Sequence, residues 1–213
     1  MIKLSYKKLI LALSITAYLL LANAAKAESA EKTLLVFGDS LVAGYQLPLQ
    51  QAFPAVLEKR LADEGYNVKV INAGVSGDTT SGGLTRLEWN LEAHPDYALL
   101  ELGANDMLRG IDPQLTYNNL NEILKTFKAR HIPVLLAGMK ARPNMGEKFV
   151  TSYLHMYEQL ADEYSTLYYP FFLETIINNP DLLLDDGMHP NKQGVETIVE
   201  SILPLVKELI GEK

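Results

Sequence analysis

The chain has 213 residues, no cysteine and a formal net charge of −7. A chain without cysteine has no disulfide, thiol nucleophile, iron–sulfur site or cysteine-ligated zinc site. Its acidic balance, without a cluster of lysine and arginine, argues against a nucleic-acid partner, because such partners need a positive face that neutralises phosphates.

Residues 1–27 have the three regions of a secretory signal peptide. Three lysines precede an apolar stretch at residues 9–22, and Ala25-Lys26-Ala27 matches the A-x-A cleavage pattern. An uncleaved membrane anchor is the alternative, but the apolar run of about 14 residues is shorter than the roughly 20 that a spanning helix needs. We therefore expect cleavage before Glu28 and export, with the periplasm favoured over secretion. The remaining chain has 15 basic and 26 acidic residues, a net charge of −11 and no transmembrane segment.

Short β-rich segments alternate with longer amphipathic segments after residue 28. The predicted strands are residues 33–37, 67–72, 97–102, 133–137 and, more weakly, 166–168, and the predicted helices are residues 51–64, 80–93, 115–130, 146–164 and 192–210. Helices between successive strands indicate βαβ units and a parallel sheet covered on both faces. Because no repeat or linker interrupts the pattern, we expect residues 28–213 to form one α/β domain.

The first predicted strand ends at a sharp turn that holds a serine. Residues 34–37 are a continuous apolar run, as in a strand buried on both faces. Gly38 and Asp39 tolerate a tight turn, so Ser40 lies at the carboxyl end of the strand, where α/β folds bind their ligands. The simpler interpretation of Ser40 is a helix N-cap, and the functional one is a nucleophile. The two interpretations are compatible.

The segment Asp186-Gly187-Met188-His189 supplies a candidate base and a carboxylate to orient it. Asp186 can accept a hydrogen bond from His189 Nδ1–H and fix the tautomer of the ring. Asp185 competes for this role, and spacing alone does not decide between them. An ordinary turn before the last helix is the alternative. The other histidines, at positions 94, 131 and 155, fit helix ends or surface positions.

Two loops that follow other predicted strands hold candidate donors for an oxyanion. Gly77 lies after the second strand, where a residue without a side chain lets its backbone N–H approach a ligand. Asn105 follows the third strand and offers a side-chain amide, and the backbone N–H of Ser40 is a third donor. Each loop alone is an ordinary Gly/Asn turn. Together with the serine and the Asp–His pair, they indicate acyl transfer.

Four blocks of the sequence resemble the GDSL/SGNH hydrolase superfamily. They are Gly38-Asp39-Ser40-Leu41, Gly77, Gly103-x-Asn105-Asp106 and Asp186-x-x-His189. The chain is similar to the bacterial thioesterase I, arylesterase and lysophospholipase L1 group. The resemblance implies a three-layer α/β/α, flavodoxin-like fold with about five parallel strands and no cofactor or metal. It also implies a Ser40–His189–Asp186 triad and an oxyanion hole made by Ser40, Gly77 and Asn105.

The segment at residues 138–146 matches the position of a mobile loop that shapes the acyl site in this group. Ala141 stands where the resemblance leads us to expect a leucine, so acyl preference stays open, since an apolar pocket residue changes discrimination by about 1–3 kcal/mol. We predict that Asp39, Ala141 and Pro143 contribute to substrate binding, Asp39 by bonding neighbouring loops. The groove itself is predicted to lie between residues 44–47, 108–111 and 140–145.

The sequence thus predicts a cofactor-free serine hydrolase that forms an acyl-Ser40 intermediate. Its predicted substrates are small-molecule esters, thioesters or lysophospholipids with an apolar acyl chain, and nothing in the sequence indicates more than a monomer. A carbohydrate O-acetylesterase is one alternative, although the only tryptophan, Trp89, falls in a predicted helix and not in a sugar cleft. A non-catalytic flavodoxin-like binding module, in which Ser40 only caps a helix, is the other.

Overall fold

Five parallel strands form the central sheet of the computed structural model, which describes residues 31–211. The strands are β1 (Lys32–Gly38), β2 (Val68–Gly74), β3 (Tyr97–Glu101), β4 (Val134–Ala137) and β5 (Leu167–Tyr169), in the spatial order β2-β1-β3-β4-β5. The five predicted strands are confirmed, with ends that differ from the prediction by at most two residues. The predicted signal peptide, residues 1–27, lies outside the described residues.

Residues 31–211 contain seven α-helices, six of them between successive strands and the last after β5. They are α1 (Ser40–Ala43), α2 (Phe53–Asp63), α3 (Thr80–Leu91), α4 (Ala104–Leu108), α5 (Pro113–Ala129), α6 (Glu147–Tyr164) and α7 (Lys192–Ile210), with 3₁₀ turns at Leu49–Gln51, Pro143–Met145 and Pro180–Leu182. Helix α2 packs on α7, while α5 packs on both α3 and α6. The sheet is therefore covered on both faces, which confirms the predicted three-layer α/β/α fold. In the part of the chain that the structure describes, no helix has the length and apolar character to cross a bilayer.

The apolar runs and stripes of the sequence form the core. Residues 34–37 of β1 have no exposed surface, as expected for a strand covered on both faces. In α5, four apolar residues at helical spacing are buried: Leu120, Ile123, Leu124 and Phe127. Burying one such leucine or phenylalanine stabilises the fold by about 1.5–3 kcal/mol, so this core gives the sheet edge above it a rigid base.

The chain order reverses beside β1, which lies between β2 and β3. Loops after strands on the two sides of such a point diverge and leave a crevice at the carboxyl edge of the sheet. Ser40 follows β1, Gly77 follows β2 and Asn105 follows β3. The topology thus brings three predicted site residues to one crevice.

Helix caps fix the ends of two site loops. The side chain of Thr79 accepts a backbone N–H hydrogen bond at the start of α3, and that of Asn191 does the same at the start of α7. Thr79 ends the loop that holds Gly77, and Asn191 ends the turn that holds His189. Each loop is therefore anchored within two residues of its site residue.

Candidate active site

Helix α1 begins at the serine, and its N-cap is Asp39. Asp39 Oδ1 accepts a hydrogen bond from the Leu41 N–H at 3.0 Å. The N-cap interpretation of Ser40 is therefore wrong. Strand β1 runs one residue further than predicted, to Gly38, so the residue directly after the strand is the aspartate, and the Ser40 hydroxyl is left for another partner.

That partner is His189. Ser40 Oγ lies 2.8 Å from His189 Nε2, and His189 Nδ1 lies 2.6 Å from Asp186 Oδ2. With Nδ1–H donating to Asp186, the lone pair of Nε2 accepts the Ser40 O–H. Asp186 Oδ1 also accepts the backbone N–H groups of Met188 at 2.9 Å and His189 at 3.0 Å. The structure thus brings Asp186, and not Asp185, to the histidine.

Asp186 is held in its ionised form. Burial alone would raise the pKa of this carboxyl. Hydrogen bonds from the His189 and Met188 N–H groups and from the His189 ring outweigh burial and hold the pKa of Asp186 below its usual value. An ionised Asp186 can therefore stabilise the imidazolium that forms when His189 takes a proton.

A short antiparallel bridge fixes the turn that carries this pair. Leu183 is bridged to Pro190, and the Leu184 N–H donates to the His189 carbonyl at 2.8 Å. On the other side, the Tyr45 ring lies over the imidazole, with ring centroids 4.3 Å apart and planes tilted by 34°. The histidine ring is therefore held by a carboxylate, a backbone bridge and an aromatic contact.

Gly77 and Asn105 line the same cavity as Ser40. Gly77 is exposed and has φ +82°, and its carbonyl accepts a hydrogen bond from Arg109 Nη2 at 2.7 Å. Asn105 donates one amide hydrogen to Asp39 Oδ2 at 2.9 Å, which leaves the second hydrogen of that amide for a ligand. Within residues 31–211, the N–H groups of Ser40 and Gly77 donate to no protein acceptor.

Two fully buried carboxyl groups, Asp39 and Glu101, support the site from below. Burial raises the pKa of Asp39 to about 6, against hydrogen bonds from Leu41, Glu101 and Asn105 and the charge of His189. Burial and the Asp39 charge raise the pKa of Glu101 well above its ordinary value. Its Oε1 has no hydrogen-bond partner in the described part of the chain.

Asp39 bonds a neighbouring loop, as predicted, because its Oδ2 accepts a hydrogen bond from the Asn105 amide. Its side chain has no exposed surface, yet Asp39 belongs to the lining of the cavity that holds Ser40 and His189. Its contribution to substrate binding stays a prediction, and this hydrogen bond supports a contribution that acts through Asn105.

A cavity of about 590 Å³ opens beside Ser40 and His189. The predicted residues Ala141 and Pro143 line it. Its other apolar lining residues are Leu41, Tyr45, Ala104, Met107, Leu108, Met139, Phe171, Leu173, Ile177 and Met188. This volume lies in the range of small-molecule sites, and the apolar walls suit a hydrocarbon chain.

Sequence reasoning missed part of this wall. Phe171, Leu173 and Ile177 follow β5 and line the cavity, but lie outside the three segments predicted to form the groove. The apolar run Phe171-Phe172-Leu173 directly after a strand was the signal that could have indicated them. An apolar run in a loop has to be buried, and here Phe171 and Leu173 line the cavity while Phe172 packs edge-on against Phe53 in the core.

Gly103, the N-cap of α4, lies two residues before Asn105 and is packed closely against two buried tyrosines. It has φ +120°, and an added Cβ would lie 2.1 Å from the Tyr157 hydroxyl, which donates to the Leu102 carbonyl at 2.7 Å. We expect Gly103→Ala to lower the free energy of unfolding by about 3 kcal/mol or more, through overpacking and a strained φ. Gly110→Ala is the matched control, because Gly110 has φ +65° and open space around it, and should cost about 1 kcal/mol. Urea unfolding measures both, and equal losses would contradict the packing argument.

Of the described histidines, His189 alone lines the cavity. His94 and His131 lie just after α3 and α5, and His155 is exposed on α6, in agreement with the positions predicted for them. Across residues 31–211, no group of three His, Cys, Asp or Glu side chains is arranged to hold a metal ion.

The family described as GDSL-like Lipase/Acylhydrolase matches residues 36–196 of the chain. The protein belongs to this family. The resemblance to GDSL/SGNH hydrolases is confirmed, and with it the assignment to the hydrolases of carboxylic esters.

This GDSL-family hydrolase is similar to characterised esterases over most of its length. It is 40% identical over 185 residues to an arylesterase of Vibrio mimicus, covering 86% of this chain and 92% of the relative. It is 36% identical over 184 residues to thioesterase 1/protease 1/lysophospholipase L1 of Escherichia coli strain K12, covering 86% and 87%. The crystal structure of TesA superposes with a TM-score of 0.79 at 39% identity, covering 84% of this chain and 99% of that one.

Proposed function

We propose that this hydrolase cleaves esters or thioesters with an apolar acyl chain through an acyl-Ser40 intermediate. The observation that carries the proposal is the chain of hydrogen bonds from Ser40 through His189 to Asp186 at the wall of an apolar cavity. A nucleophile, a base and an orienting carboxylate in hydrogen-bond contact are the parts that acyl transfer needs.

The reaction follows from this geometry. As Ser40 Oγ bonds to the acyl carbon, its proton passes to His189 Nε2 and the carbonyl π electrons move onto the carbonyl oxygen. Asp186 stays ionised and stabilises the imidazolium. When the oxyanion collapses, the bond to the alcohol or thiol breaks and His189 gives the leaving group its proton. A water activated by His189 then releases the acid and restores Ser40.

We assign the oxyanion to the N–H groups of Ser40 and Gly77 and to the free amide hydrogen of Asn105. Their position around one cavity supports this, as does the lack of protein acceptors for the two backbone groups within residues 31–211. Donors that are already oriented need no reorganisation when charge develops on the substrate oxygen.

The shape and chemistry of the cavity support an acyl chain over an acetyl group. A sugar-binding cleft would offer polar and aromatic side chains, whereas Trp89 is 73% exposed on α3 and does not line the cavity. Ala141 leaves room where a larger side chain would narrow the space. Lysophospholipids, acyl thioesters and aryl esters all present an acyl chain of this kind.

Hydrolysis of p-nitrophenyl esters from C2 to C12 tests the proposal. We expect kcat/KM to rise by up to about fourfold per added methylene until the cavity is filled, since each buried methylene contributes about 0.8 kcal/mol. Ala141→Leu should move the optimum to shorter chains. An optimum at C2 in the unmodified protein would favour the O-acetylesterase, and no turnover of any ester by folded protein would favour the binding module.

We further propose that the enzyme works in the periplasm as a monomer. The signal-peptide pattern at residues 1–27 supports export. Every residue assigned to the site comes from one chain, so catalysis by this route needs no second copy.

A further inference from the structure

Arg86, in the middle of α3, joins the ends of two strands at the edge of the site. Its Nη1 donates to the Ala73 carbonyl at 2.8 Å and its Nη2 to the Gly38 carbonyl at 2.9 Å. The guanidinium carbon lies 4.0 Å from the centroid of the Phe37 ring. The arginine thus binds the carboxyl ends of β1 and β2 from a position against the core.

The third partner of this guanidinium is a carboxylate in the Gly77 loop. Arg86 Nε donates to Asp78 Oδ2 at 2.7 Å, and the two side chains are only 17% and 12% exposed. Gly82 makes room for this pair, because a Cβ there would lie 1.8 Å from Asp78 Oδ1. An enclosed pair is screened less by salt than a surface one, and the planar guanidinium fixes the directions of all three hydrogen bonds.

These three bonds connect the segments that carry two proposed oxyanion donors. Gly38 is two residues before Ser40, and Asp78 directly follows Gly77. The Val75 N–H also donates to the Gly38 carbonyl, at 3.1 Å, so the loop after β2 is joined to the end of β1 once directly and once through Arg86. The spacing between the Ser40 and Gly77 N–H groups therefore depends on where Arg86 holds these segments.

We propose that Arg86 is a positioning residue for hydrolysis, which sets the spacing of the Ser40 and Gly77 N–H groups; this inference rests on the proposed function. Oxyanion donors stabilise the tetrahedral oxygen more than the ground-state carbonyl, so their displacement lowers kcat more than it raises KM. Arg86 touches neither substrate nor nucleophile and acts only through the two segments.

Arg86→Lys is the test, because lysine keeps the charge but cannot span three acceptors in a planar fork. We expect kcat to fall about 100-fold, as for a small misplacement of catalytic groups, and KM to stay within about twofold of its value in the unmodified protein. Asp78→Asn, which keeps both carbonyl bonds of Arg86, should lower kcat about 10-fold. Arg130→Lys is the matched control: Arg130 is paired with Glu88 on the surface, and its replacement should leave kcat and KM unchanged.

A reversible oxyanion mimic separates positioning from general loss of structure. In an alkyl trifluoromethyl ketone, Ser40 Oγ bonds to the carbonyl carbon, its proton passes to His189, and the carbonyl electron pair moves onto oxygen. Its Ki should rise in Arg86→Lys by the same factor by which kcat/KM falls. A merely structural defect would reduce the amount of folded enzyme and leave this Ki unchanged.

An unchanged Ki in Arg86→Lys, with or without loss of folded protein, would overturn the inference while the proposed function stands. Should Arg86→Lys fail to fold, Asp78→Asn decides by the same measurements: a Ki raised about 10-fold supports the inference and an unchanged Ki overturns it. An unmodified protein that neither hydrolyses esters nor binds the ketone would overturn the proposed function and this inference with it.

Discussion

Replacing Ser40 with alanine should lower kcat for ester hydrolysis by about 10⁶-fold, since loss of the nucleophile of a catalytic triad has an effect of this size. The free energy of unfolding should change by no more than about 1 kcal/mol, because the hydroxyl makes one partly buried hydrogen bond, to His189, and the cap of α1 is Asp39. Steady-state kinetics and urea unfolding on the same preparation measure both quantities. A variant that keeps more than about 1% of the activity would place the nucleophile elsewhere.

Neighbouring aspartates offer a matched pair of variants for the same mechanism. Asp186→Asn should lower kcat by about 10⁴-fold, because the amide no longer fixes the His189 tautomer or stabilises the imidazolium. Asp185→Asn should leave kcat unchanged, since Asp185 is exposed and the His189 ring is bonded to Asp186. Equal effects of the two substitutions would contradict the triad as the structure arranges it.

The residues of the triad could be predicted because the fold obeys a simple rule. Ser40 and His189 are 149 positions apart, yet both lie in segments that follow strands of one parallel sheet, Ser40 at the start of α1 after β1 and His189 in the turn before α7. Apolar runs and helical periodicity were enough to place those strands, and loops after parallel strands meet at one edge. The closeness of Ser40 and His189 could therefore be predicted from local patterns of apolar residues.

Features that depend on a single residue of register could not be predicted in this way. Whether Asp39 or Ser40 caps α1 is decided by where β1 ends, and sequence patterns locate strand ends only to within a residue or two. The short helix Ala104–Leu108 was missed because five residues are too few to display a helical period. The role of Arg86 was equally hidden, since a charged residue in an amphipathic helix is usually a solvent-facing one.

Asn105→Ala should lower kcat by about 100- to 1000-fold, with a much smaller effect on KM, because it removes one of the three proposed oxyanion donors. Asn118→Ala is the control: Asn118 is exposed on α5, where its amide oxygen accepts from Gln114, and we expect no change in kcat. A loss that appeared mainly in KM would indicate that Asn105 binds the ground state of the substrate and not the oxyanion.

The buried carboxyl of Asp39 accepts a hydrogen bond from the Asn105 amide, and the pKa of this carboxyl predicts how activity depends on pH. Asp39 must be ionised to accept from both Asn105 and Leu41, and its pKa of about 6 means that it loses this charge in mildly acidic solution. The charged or titratable groups that act on its pKa are Glu101, whose own pKa is raised by burial, and His189. Because Asp39→Asn carries no such proton but keeps His189, the ratio of kcat in the unmodified protein to kcat in Asp39→Asn isolates the aspartate. We expect this ratio to fall toward one as pH falls through about 6; a ratio independent of pH would contradict the support role of Asp39.

Ionisation of the Asp39 carboxyl is expected to lower stability although it supports activity. Because burial raises the pKa of Asp39 from 3.8 to about 6, the folded state binds this proton more tightly than the unfolded chain between these values. Its contribution therefore favours folding below pH 3.8 and is lost as pH rises through about 6. Asp186 has a lowered pKa, so its contribution is present above its unfolded pKa and is lost as pH falls. Relative to the unmodified protein, Asp39→Asn should therefore gain stability as pH rises from 4 to 7, while its kcat falls further below that of the unmodified protein. Urea unfolding across this pH range measures the difference in stability.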